Sequence, residues 1–274
     1  MSFAIYMIRN GLFGHDYEMK LLLTLIGLGV CVLFIVFSKK NDYIFVFITG
    51  LIIWSTFELM ITAFGIRSSI DASLFGIDLH WSLAGVIRGS SEGSVVAIVG
   101  IIFGDYIPSK KHRKIAIPAA ILLLTYFVSR TLLNGLPGKN IGGDVISRRE
   151  IFAWPSVLFF LIFTILVTTW YISQKDSQIK NRARNMFIST CIFSSIWSIA
   201  QYIANTRWIE VKTNSTFIQA PPVVEFFVFA WDIFFEISLC YVTFLVIPIM
   251  LNLIKQPQEL LSSITTSFKL EIEE

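Results

Sequence analysis

The sequence predicts an all-α fold: a multi-pass bundle of seven transmembrane helices, with the N-terminus outside and the C-terminus cytoplasmic. Three observations carry this. Hydrophobic residues make up 55% of the 274 residues and charged residues only 15%, with a mean hydropathy of +0.70. A soluble domain carries about a quarter charged residues because its surface must stay wetted, so lipid is the expected solvent for much of this chain. The apolar residues also come in runs of the length, about 20 residues, that crosses a hydrocarbon core. No run alternates with the period of two that marks a barrel strand, which leaves helices as the way to satisfy the backbone in lipid.

Residues 1–19 read as an interfacial lead-in, weakly apolar and interrupted by Arg9 and Asn10. No small-residue cleavage site follows, so the first span is expected to act as an uncleaved insertion signal. Seven spans follow, at 20–38, 43–66, 80–104, 113–133, 152–173, 184–206 and 222–254, forming one bundle over 20–254. The first is uncharged from Leu21 to Phe37. Gly135, Pro137, Gly138, Gly142 and Gly143 mark the connection 134–151 as a flexible loop, and Pro221 and Pro222 start the seventh helix. Residues 255–274 form a short cytoplasmic tail, where Leu260, Leu261, Ile264 and Phe268 suit a small surface helix.

Orientation follows from the basic residues of short loops. Lys39, Lys40, Lys110, Lys111, Arg113, Lys114, Lys175, Lys180, Arg182 and Arg184 crowd three tight turns. Arg67, Arg130, Lys139, Arg148, Arg149, Arg207 and Lys212 are spread over longer connections, with Arg9 and Lys20 before the first span. The crowded side is therefore expected inside. A net charge of +3 suits basic residues against lipid headgroups and gives no reason to expect nucleic acid. Cys31, Cys191 and Cys240 all fall within spans, so no external disulfide is expected. Asn214-Ser215-Thr216 is a glycosylation sequon in an outer loop.

The candidate functional residues are the ionisable groups inside spans, each of which costs about 2.5–3.5 kcal/mol to insert. They are Glu58 in the second span, Arg88 and Glu92 in the third, and Asp232 and Glu236 in the seventh, with Glu225 two turns before Asp232. Arg88 and Glu92 are four residues apart and share a helix face, as do Asp232 and Glu236. Ser194, Ser198, Gln201 and Asn205 form a polar stripe on the sixth helix. Trp54, Trp197 and Trp231 lie at mid-depth, away from the interfacial belts, and are candidate pocket walls. Counted along the spans, four mid-depth carboxylates face one arginine, Arg88, with Arg130 at the rim. Gly85, Gly89 and Gly93 repeat every four residues and continue to Gly100 and Gly104, the pattern of a central helix closely approached by neighbours.

Several classes are excluded. No lysine lies well inside a span, which removes a retinal Schiff base. Gly104-Asp105-Tyr106 and Val246-Ile247-Pro248 do not match the motifs of a G-protein-coupled receptor. His15, His80 and His112 fall on both sides of the membrane and cannot converge on zinc. No nucleophile elbow or phosphate loop is present, and no cofactor is implied. The leading expectation is a small transporter or channel-like protein for a cation, proton or cationic solute. The alternatives are a membrane-embedded enzyme acting on a lipid or isoprenoid, and a seven-helix sensor or scaffold. The expected partners are the bilayer and a small cation, proton or lipid ligand. Homo-oligomerisation is left open.

Overall fold

A computed structural model describes residues 4–9, 17–69, 72–110, 112–133, 147–211 and 216–254. Seven of its helices are long and apolar enough to cross a membrane: α1 (Tyr17–Ser38), α2 (Asp42–Ala63), α3 (Trp81–Tyr106), α4 (Arg113–Leu133), α5 (Trp154–Ser173), α6 (Ser177–Ile203) and α7 (Pro222–Met250). The sixth starts several residues earlier than its apolar run, because Asp176 caps it by accepting hydrogen bonds from the backbone N–H groups of Gln178 and Ile179 (2.7 and 3.3 Å). The glycine-rich stretch 134–146, His15, Asn214 and Ser215 of the sequon, and the tail 255–274 lie outside the described residues.

The bundle is helical as expected, but the molecule is not purely α. Strands β1 (Ala4–Arg9), β2 (Arg67–Ser69), β5 (Ser147–Glu150), β6 (Arg207–Val211) and β7 (Thr216–Gln219) form an antiparallel sheet in the order β2-β5-β1-β6-β7. The short pair β3 (Ser73–Leu74) and β4 (Ile77–Asp78) turns through Phe75 and Gly76, both at positive φ. The amino-terminal stretch read as a lead-in thus supplies the middle strand. Its Ala-Ile-Tyr-Met-Ile-Arg sequence has the β-branched and aromatic content that suits a strand. Because one sheet joins the connections α2–α3, α4–α5 and α6–α7, these all lie at one end of the bundle. The remaining connections, which follow α1, α3 and α5, are short and start from the other end.

Helix α3 occupies the centre because its glycines allow it. A Cβ at Gly89 would lie 2.5 Å from Ser55 Cα of α2, and one at Gly104 would lie 2.8 Å from the backbone N of Met186 in α6. Gly93 meets Gly50 with the same intimacy. Around this contact Trp54, Phe57, Phe160, Tyr241 and Phe244 pack as one aromatic cluster. At the end with short connections, Arg182 of α6 bridges Asp42 of α2 (2.6 Å) and Asp105 of α3 (2.8 Å), and Tyr43 donates to Asp105 (3.0 Å).

Candidate functional site

The site is built where the sheet meets the bundle. Residues directly opposite across an antiparallel pair face the same way, and the register sets Arg67 against Arg149, Arg149 against Met7, and Met7 against Arg207. Three arginines and a methionine therefore form a row across β2, β5, β1 and β6, and all four are buried. Like charges facing each other on a sheet destabilise it, and here the helices below supply the counter-charges. Glu58 of α2 lies 3.0 Å from Arg67 and 3.7 Å from Arg88 of α3. Glu236 of α7 takes Arg149 in a two-pronged pair at 2.6 and 2.9 Å. Arg207 reaches Glu225 (2.8 Å) and Asp232 (2.7 Å), both on α7.

This changes the charge balance read along the spans. Among the described residues four buried arginines, not one, meet the buried carboxylates, because Arg67, Arg149 and Arg207 fold back from connections where they were counted as loop charges. The α3 arginine turns to Glu58 and to the Tyr17 hydroxyl of α1. Burial alone lowers a guanidinium, yet the Glu236 carboxylate holds Arg149 above its ordinary value. Asp232 and Glu225 outweigh burial at Arg207 in the same way. At Arg67 burial prevails and the guanidinium is held below its ordinary value, since Glu58 is shared with Arg88.

Both carboxylate-bearing turns depart from α geometry. Ser91–Val95, which contains Glu92, and Trp231–Leu239, which contains Asp232 and Glu236, are π-helical. Such segments leave the helix wider and recur at functional sites. Between them lies a cavity of about 140 Å³ lined by Arg67, Arg149, Glu92, Glu236, Trp54, Trp197 and Tyr241, with Thr131 and apolar side chains. It has room for several waters or a small polar group. Trp54 Nε1 donates to Glu92 at 3.4 Å, and Tyr241 donates to the Glu92 carbonyl at 2.9 Å. A second space, a cleft of about 110 Å³, lies between α1, α3 and α4 and is lined by Lys20, Arg130, Tyr126 and again Glu92. Glu92 thus borders both.

Of the residues singled out from sequence, Glu92, Glu236, Trp54 and Trp197 line the core cavity. Glu58 and Arg88 form the ion-pair layer beside it, and Asp232 joins Arg207. Trp231 packs instead on Phe152, Phe160 and Phe235. Gln201 and Asn205 tie α6 to the sheet: Gln201 accepts from Thr206, and Asn205, at positive φ, accepts from Gln219 through its side chain and from Trp208 through its carbonyl. The residues that sequence reasoning missed are Arg67, Arg149, Arg207 and Tyr241. The aromatic and β-branched residues of Trp208-Ile209-Glu210-Val211 are the local signal that could have placed Arg207 on a strand. Among the described residues no group of three or more His, Cys, Asp or Glu side chains converges to hold a metal. No protein family, curated protein or solved structure matches this chain.

Proposed function

We propose that the protein is a small proton-coupled membrane transporter in which Glu92 carries the proton. The observation behind this reading is the position of Glu92, a carboxylate bordering both the core cavity and the cleft, so that it can exchange a proton with either. Ionisable groups inside a bundle recur as proton relays in transporters. Among the ions expected from sequence, the proton is favoured over a metal or organic cation. Glu58, Glu225, Asp232 and Glu236 already have arginine partners, so they form no bare carboxylate cage. The sheet and its arginine row then act as the seal at one end, and the Arg182 clasp as the seal at the other.

The orientation belongs to the same proposal: sheet outside, short connections in the cytoplasm. With Arg67, Arg149 and Arg207 folded into ion pairs, Lys39, Lys40, Lys110, Arg113, Lys114, Lys175 and Arg184 are exposed at the opposite end, where anionic lipid attracts them. In vesicles holding a pH-sensitive dye, the purified protein should carry protons down an imposed gradient. Glu92→Gln should abolish that flux while keeping helix content and melting temperature. Flux in Glu92→Gln equal to wild type, or none in wild type, overturns the reading. The lipid-enzyme alternative is supported by the cleft alone, and lipid extracts unchanged by the protein's presence would remove it.

A further inference from the structure

The charges around the two cavities are unequal. Lys20 and Arg130 line the cleft, Arg67 and Arg149 line the core cavity, and Arg88 sits in the adjoining layer. Against these five cations stand, among the described residues, the three carboxylates Glu92, Glu236 and Glu58, while the neighbouring Asp232 is taken by Arg207. The two arginines of the core cavity are each at least nine-tenths buried, and their Nε–H groups have no hydrogen-bond partner among the described residues. A buried donor without an acceptor carries a cost that an oxygen-rich ligand removes. The Glu58 oxygens likewise lack a hydrogen bond but lie within ion-pair reach of Arg67 and Arg88, so the excess positive charge, with two donors on the cavity wall, points to an anion.

The cleft is walled by α1 and α4, which with 11% of their apolar windows buried are the two spans least covered by the rest of the molecule. Lys20 lies about a turn from the sheet-end start of α1, and Arg130 about a turn from the sheet-end finish of α4, the depth at which lipid headgroups sit. Both spaces, at about 110 and 140 Å³, are smaller than the roughly 300–1,000 Å³ that enclose a drug-sized ligand, which leaves room for a headgroup and none for its tail.

We propose that this site takes the anionic, oxygen-rich headgroup of a lipid, which reaches the core from the bilayer between α1 and α4. The placement rests on reading the core cavity as the transport site and makes the lipid the solute that moves with the proton. The headgroup and the Glu92 carboxylate carry like charge, so the two repel unless a proton moves with the lipid, which couples them.

Binding can be measured without any gradient, on the full chain in detergent, with soluble dioctanoyl phosphatidic acid as probe and dioctanoyl phosphatidylcholine and inorganic phosphate as comparisons. Phosphatidic acid should bind and raise the melting temperature, while phosphatidylcholine should not. Lys20→Gln with Arg130→Gln should weaken binding about tenfold or more, and Lys20→Arg with Arg130→Lys should restore it. If the first pair fails to fold, the second together with Arg130→Gln alone supplies the comparison. Equal binding of phosphatidylcholine, inorganic phosphate binding as tightly as the lipid, or unchanged binding in the glutamine variants overturns the proposal. Phosphatidic acid binding without proton flux removes the transport reading and leaves the site, whereas flux without binding removes this inference alone.

Discussion

Gly89 shows how little room a single position in this bundle has. Its neighbour is the backbone of α2, which cannot swing aside as a side chain can, and a Cβ there would lie 2.5 Å from Ser55 Cα. Gly89→Ala should therefore destabilise the protein by about 1–3 kcal/mol, the range for overpacking a tight interface. Gly29 has nothing within 4 Å of an added Cβ, so Gly29→Ala should be neutral, or stabilising by up to about 1 kcal/mol through helix propensity. Thermal unfolding in one detergent compares the two, and equal losses would show that Gly89 does not set the helix separation. The glycine repeat that places α3 was legible in the sequence, since small residues at helical spacing mark a close-packed face whatever lies opposite. The partners of Arg88 were not. Its nearest carboxylate along the chain is Glu92, but it pairs with Glu58 and Tyr17 on two other helices, 30 and 71 residues away.

At the scale of the element, strand β5 sorts two adjacent arginines into different roles. Successive side chains on a strand point to opposite faces, so Arg149 turns down to Glu236 while Arg148 turns up over the rings of Tyr6 and Phe217 (5.2 and 6.0 Å). Arg149→Gln leaves Glu236 buried without its partner and should cost about 3–5 kcal/mol. Arg148→Gln loses a partly exposed ring contact and should cost about 1 kcal/mol or less. Chemical denaturation of both variants checks this, and Arg149→Gln with Glu236→Gln should recover part of the loss because the orphaned charge is gone. The helices were legible from apolar run length, because transfer into lipid is set by composition over about 20 residues. The strands were not, because each is short, and those that carry the arginine row, β1, β2, β5 and β6, pair across segments far apart in the chain. The π-helical turns at Glu92 and Asp232 also escaped sequence reading, since they differ from α only in which carbonyl each N–H finds.

Taken whole, the molecule has two differently built ends. The sheet end is closed by main-chain pairing and buried arginines, and the other by short turns and the Arg182 clasp, with exposed lysines around it. A sheet-outside orientation predicts that Gln219→Cys is labelled by a membrane-impermeant thiol reagent on intact cells, and Lys175→Cys only after permeabilisation. The reverse pattern would invert the orientation. Cys31 and Cys240 are buried and Cys191 is half-buried on α6, so background labelling should be low. By itself the sequence determined the seven apolar helices, the central place of α3, and the presence of charge inside the bundle. Each of these follows from local composition and spacing, where hydrophobic and steric terms add up along the chain. Which charges meet, and how many arginines serve the carboxylates, was decided only by the tertiary structure. An ion pair depends on a few ångströms between groups that strand register and helix packing bring together, and neither distance is written in the order of residues.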